Sequence, residues 1–146
     1  MLKNISKLLS GELLQVLCDM GHGDILVIAD GNYPAQTLGK RVVTCAGSSA
    51  VEILKAVVKV FPLDHIISEP ILLMEVEPGD LALGMKEPEI WGEFQTIIKN
   101  EYGNEKRIRR VPRNTFYDLS KDAYCIIQTG EERLYGNLIL TKGVVR

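Results

Sequence analysis

The chain is predicted to fold as one α/β domain, a mixed β-sheet flanked by helices. Three observations carry that expectation. Short apolar runs alternate with amphipathic helical repeats through the first half of the sequence. No linker, internal repeat or low-complexity tract divides the 146 residues, so residues 1–146 read as one domain, large enough to bury roughly 68–70% of its unfolded surface. The last two apolar runs stand close enough in sequence to be antiparallel neighbours, which makes the sheet mixed.

From the N-terminus, Ser10 can cap a helix whose Leu13, Leu14, Leu17 and Met20 share a face, with Gly21 as a natural stop. The run Ile25 to Ala29 is too short for a membrane span and rich in residues suited to a buried strand. Asp30-Gly31-Asn32 and Pro34 make a loop, and Val42 to Cys45 reads as a second short strand. Ser49-Ala50-Val51-Glu52 has capping-box spacing and opens a helix with Val51, Leu54, Val58 and Phe61 inward. Ile71 to Val76 gives a third strand, stopped by Pro78-Gly79-Asp80. Pro88 suits the first turn of a helix carrying Ile90, Phe94, Ile97 and Ile98 on one stripe, with Gly103 past its end. Ile108 and Val111 lie in a strand flanked by basic residues, and Phe116 to Lys121 form one short helical turn. Tyr124 to Gln128 and Leu138 to Thr141 are the last strands.

Composition excludes several classes. With 46% hydrophobic and 25% charged residues the chain is neither disordered nor membranous, and a net charge of −2 gives no reason to expect nucleic acid as partner. Cys18, Cys45 and Cys125 are odd in number, far apart and without a C-x-x-C pair, which fits buried thiols in a reducing cytoplasm. Lys3 and Lys7 precede no sustained apolar segment, so a cytoplasmic rather than a secreted protein is expected. Two histidines and no Cys/His/carboxylate spacing leave no metal motif, and neither glycine-rich phosphate-loop pattern occurs.

The most informative stretch is Met20 to Asp30: a helix end, the glycine-bracketed His22, a buried strand, then a lone carboxylate. Asp30 falls at the carboxyl end of that strand, where open α/β sheets place ligands. His22 falls at its other end, about 20 Å away for an extended strand. If both serve one site, either the corner folds back or a neighbouring subunit supplies one of them. Each residue also has a plainer reading. His22 can sit favourably near a helix C-terminus, and Asp30 can bond its own turn. Arg113 can belong to a solvated basic run with Lys106, Arg107, Arg109 and Arg110, and Tyr135-Gly136-Asn137 can be an ordinary hairpin turn. Trp91 is more simply a packing residue, and His65 a structural one.

Eight segments in order resemble one family: L-L-S-x-E-L-L at Leu8 to Leu14, M-G-H-G-D at Met20 to Asp24, A-D at Ala29-Asp30, P-A at Pro34-Ala35, P-L-D at Pro62 to Asp64, R-x-x-F-Y at Arg113 to Tyr117, T-G-E at Thr129 to Glu131, and Y-G-N-L-I-L-x-K-G at Tyr135 to Gly143. Together they resemble the L-fucose mutarotase and D-ribose pyranase family, and its L-fucose branch more closely. The resemblance implies interconversion of the α and β anomers of L-fucose by acid–base ring opening and closure, without cofactor or metal. It also implies a homo-oligomeric ring, a decamer in the family, with sites between subunits, while composition and charge point to no nucleic acid or membrane partner.

By the same resemblance His22 is the proton donor. Histidine suits that task because its unperturbed pKa of about 6.5 allows donation and return near neutrality. Asp30, Arg113, Tyr135, Gly136 and Asn137 match the sugar-binding positions. A carboxylate accepts bonds from adjacent hydroxyls, a guanidinium fork holds oxygens in a plane, and Y-G-N offers a phenol, an approachable backbone and an amide. Tyr33 carries over only as a wall against the sugar's apolar face, since phenylalanine is commoner there, and Tyr117 is a candidate for lining the pocket. Two other functions compete with this one. A pyranase or mutarotase for another sugar such as D-ribose is disfavoured by Arg113, where the ribose branch typically has histidine. A non-enzymatic nucleic-acid-binding module using Lys106 to Arg113 is disfavoured by the lack of aromatic interleaving.

Overall fold

In the computed structural model, which describes residues 1–104 and 108–146, the apolar runs of the sequence become the strands of one six-stranded sheet. The strands are β1 (Ile25–Ala29), β2 (Val42–Cys45), β3 (Ile71–Met74), β4 (Ile108–Val111), β5 (Cys125–Thr129) and β6 (Leu138–Thr141). Their spatial order is β2-β5-β1-β6-β3-β4. Strand β1 pairs parallel with β5 on one side and antiparallel with β6 on the other. Leu26, Val27, Ile28 and Ala29 are fully buried, which explains the unbroken apolar run.

The sheet is mixed as expected, but β5 and β6 are not neighbours. Strand β1 lies between them. The segment 130–137 steps across the carboxyl end of β1, where Gly31 N–H donates to the Glu131 carbonyl (2.9 Å), instead of closing a tight hairpin. Gly130 makes that step possible: a Cβ there would stand 2.0 Å from the Ala46 carbonyl oxygen.

The helices are α1 (Gly11–Asp19), α2 (Ala35–Leu38), α3 (Ala50–Val58), α4 (Pro78–Ala82), α5 (Glu89–Tyr102) and α6 (Arg113–Asp122). The Ser10 side chain accepts from Leu13 N–H, and Ser49 and Glu52 form the reciprocal capping box. Caps of this kind each stabilise by about 1 kcal/mol. Gly103, at φ 83°, ends α5.

Three local expectations are corrected. The Pro34 loop continues into one helical turn, α2. Pro78-Gly79-Asp80 starts α4 rather than only stopping β3, which ends at Met74, because proline suits a first helical turn. The turn at Phe116 is a ten-residue helix, α6, in which Phe116 and Ser120 are buried one turn apart.

Among the cysteines, Cys125 is buried and Cys45 half-buried, whereas Cys18 is exposed. With Leu13 and Leu17 facing the core, Cys18 is rotated about 100° away from that stripe. No helix among the described residues is long and apolar enough to cross a membrane. Of the basic segment, Lys106 and Arg107 lie outside the described residues. Ile108–Val111 is an edge strand, and Arg109, Arg110 and Arg113 pair with Glu69, Glu87 and Glu77.

Candidate functional site

Strand direction sorts the candidate residues into two groups. The strands β1, β3, β4 and β5 end on one side of the sheet, and β6, being antiparallel to β1 and β3, begins there. Asp30 follows β1, Glu77 follows β3, Arg113 follows β4, and Tyr135 to Asn137 precede β6, so all of them gather at this end. The sequence-predicted binding residues are therefore brought together by a single chain.

At the centre is a buried pair. Asn137 Nδ2 donates to Asp30 Oδ2 (2.7 Å), and Asp30 N–H donates back to Asn137 Oδ1 (2.8 Å). Asn32 N–H donates to Asp30 Oδ1 (3.0 Å). Burial raises the Asp30 carboxyl above its ordinary value, only partly offset by Asn137 and by the backbone N–H groups of Asn32, Gly136 and Tyr33. Gly136 is required by packing, since a Cβ would come within 2.8 Å of Glu131 Cγ. Glu131 is itself clamped by Arg133 through two bonds of 2.8 and 3.0 Å, which stiffens the segment carrying Tyr135 to Asn137.

The raised Asp30 value has a thermodynamic consequence. A carboxyl whose folded pKa exceeds its unfolded value of about 3.9 adds stability that is fully present below that value and is lost as pH rises through the folded pKa. Thermal melts should therefore show wild type gaining on Asp30→Asn as pH falls from neutrality toward about 4. A pH-independent difference, or one moving the other way, would contradict the burial penalty.

Tyr135 occupies the left-handed region at φ 61° and is buried, with Trp91 Nε1 donating to its carbonyl (3.0 Å). Its phenol is already engaged: it accepts from Glu77 N–H (3.0 Å) and donates to Asp80. Burial and the bond to Asp80 raise its pKa. One acceptor lone pair is left to it, so the phenol is a more restricted contact than the Y-G-N motif suggests. Arg113 lies in the first turn of α6, half-exposed, with Nη2 3.5 Å from Glu77 Oε2. Tyr33 is buried, bonded to Ser120 Oγ (2.5 Å) and packed edge-on against Phe116 and Tyr117. Trp91 is a core residue, with the Arg110 guanidinium over its ring. Glu77 and Asp80 were not singled out from sequence, because nothing in their spacing distinguishes them from surface carboxylates.

His22 belongs to the opposite end of the sheet. Gly23 N–H donates to the Lys142 carbonyl and Lys142 N–H to the Asp24 carbonyl (2.8 Å each), which ties the corner to the end of β6. Gly23, at φ 87°, turns this corner in a conformation that favours glycine. His22 Nε2 is 3.1 Å from Asp64 Oδ2. Asp64 is the residue that sequence reasoning missed. Its only signal was membership of P-L-D, with no indication that it lies against His22. Burial pushes the Asp64 carboxyl up, but the Ile66 and Ile67 N–H groups and the His22 ring outweigh this and hold it below the usual carboxylate range. His65, the other histidine, contacts Arg146. The candidate residues thus fall into two groups, at the two ends of β1.

A profile of the RbsD / FucU transport protein family matches residues 3–145. The chain belongs to the RbsD / FucU family. Within it, the fucose mutarotase of Danio rerio is 42% identical over 147 residues, covering 99% of this chain and 94% of that protein. The crystal structure of the fucose mutarotase of Streptococcus pneumoniae in complex with L-fucose superposes with a TM-score of 0.92 at 39% identity, covering 99% of this chain and 100% of that one. Bacillus subtilis RbsD complexed with D-ribose covers 100% of both chains with a TM-score of 0.71 at 23% identity, a likeness of fold. Among the described residues no group of three or more His, Cys, Asp or Glu side chains is arranged to hold a metal ion.

Proposed function

We propose that this RbsD / FucU family member is a mutarotase that interconverts the α and β anomers of L-fucose. The observation that carries the reading is the buried Asp30–Asn137 pair at the carboxyl end of the sheet, in a chain alignable over its length with fucose mutarotases. Asp30, Arg113, Asn137 and the Tyr135-Gly136 segment hold the sugar. Ring opening adds a proton to the ring oxygen, breaks the bond from that oxygen to the anomeric carbon, and removes the anomeric hydroxyl proton to leave an aldehyde. Closure on the other face of the aldehyde reverses these transfers. His22 is the group that gives and retakes a proton, and nothing is oxidised or reduced.

The two half-sites determine the assembly in this reading. His22 and the sugar-holding residues lie at opposite ends of β1, so one subunit's His22 serves its neighbour's Asp30. A contact between two different surfaces repeats around a ring if the rotation closes, which supports a homo-oligomeric ring such as a decamer. Three free cysteines support a cytoplasmic location.

Saturation-transfer NMR across a panel of reducing sugars tests the function directly, because exchange between anomers carries saturation from one to the other. L-Fucose should respond most strongly. A protein that transfers no saturation for any sugar is not a mutarotase, and a stronger response to D-ribose would favour the pyranase alternative.

Arg113 bears on that choice. Arg113→Lys keeps the charge but loses the planar fork. Loss of one charged hydrogen bond costs about 1.5–3 kcal/mol, or roughly 10- to 150-fold in exchange efficiency. Unchanged exchange and saturation would make Arg113 only the surface partner of Glu77.

A further inference from the structure

We infer that Asp64 is a positioning residue that fixes the tautomer of His22, so that the proton exchanged with substrate is carried on Nδ1. The inference rests on the mutarotase reading for its kinetics but not for its geometry. Asp64 is buried, and its Oδ1 accepts from Ile66 N–H at 2.6 Å and Ile67 N–H at 3.4 Å. Those bonds fix the rotation of the carboxylate and aim Oδ2 at His22 Nε2, 3.1 Å away.

An ionised carboxylate only accepts, so the ring nitrogen facing it carries hydrogen. In the neutral ring the lone pair therefore belongs to Nδ1, and in the cation Nδ1 bears the transferable proton. The His22 side chain is 42% exposed against 4% for Asp64, so the ring is anchored at Nε2 and remains partly open to solvent or a neighbouring copy. The arrangement has the logic of a base oriented by a third group.

Asp64→Asn separates this role from a structural one. Its amide oxygen can still accept from Ile66 and Ile67, while its NH2 group faces His22 and demands a lone pair at Nε2. Long-range proton–nitrogen NMR of the imidazoles, assigned by the signals lost in His22→Ala, reads the tautomer in the assembled protein. Wild type with a neutral ring should show Nε2–H, and Asp64→Asn should shift it toward Nδ1–H. In parallel kcat should fall by roughly 10²-fold or more with KM within about threefold, as for a misdirected catalytic base.

A neutral Nδ1–H ring in wild type overturns the inference, and that spectrum decides even if the variant fails to fold. A folded Asp64→Asn protein with wild-type kcat also overturns it. A wild-type Nε2–H ring in a protein that exchanges no sugar would support the positioning contact and overturn the mutarotase reading instead.

Discussion

His22→Ala should slow anomer exchange by roughly 10²–10⁴-fold, the share a positioned acid–base group commonly supplies. The equilibrium ratio of anomers stays fixed, because a catalyst lowers both barriers equally. Sugar binding largely survives, because Asp30, Arg113 and Asn137 sit at the other end of the sheet and make no contact with the histidine corner within one chain. The loss should therefore fall on kcat and not on KM. Exchange NMR on wild type and variant measures the rate, with circular dichroism establishing that the variant folds. A folded His22→Ala protein exchanging at the wild-type rate would remove His22 from the mechanism and leave Asp30 as the next candidate for proton transfer.

The second large effect is restoration rather than loss. His22→Ala and Asp30→Asn proteins should each be nearly inactive, yet an oligomer assembled from both in equal amounts should recover about one quarter of wild-type activity. With random mixing, that is the fraction of interfaces joining an intact His22 to an intact Asp30 on the neighbouring subunit. Co-expression under two tags, with native mass spectrometry confirming mixed assembly, makes the measurement. Mixed oligomers no more active than the parents would show that each site is built within one chain. So would a stable wild-type monomer, by light scattering, with full activity.

The elements most legible in sequence were those whose signal is local. Ser10, Ser49 and Glu52 marked helix starts because capping is a bond across three residues. The β1 and β6 boundaries were readable because buried strands are nearly unbroken apolar runs. The extent of α6 was not readable. Its stretch Arg113–Asp122 is mostly polar, and burial of Phe116 and Ser120 against the rest of the fold, with Tyr33 bonded to Ser120, outweighs weak local preference. Nor was the insertion of β1 between β5 and β6, since closeness in sequence favours a hairpin and only the packed sheet overrides it.

The candidate site divides along the same line. Sequence by itself determined the chemical groups, a flexible histidine corner and a carboxylate after a buried strand, and the family motifs attached roles to them. It also placed the two at opposite ends of one strand, because strand geometry is nearly rigid. Only the tertiary structure decided their partners. Asn137 reaches Asp30 because β6 runs back along β1, and Asp64 reaches His22 because the 62–64 segment bonds to the far end of β6, where Gly143 N–H donates to the Pro62 carbonyl and Asp64 N–H to the Thr141 carbonyl. These pairings join residues 107 and 42 positions apart. No local propensity records such a distance; it is set by which strand lies next to which, and that is a property of the whole packed sheet.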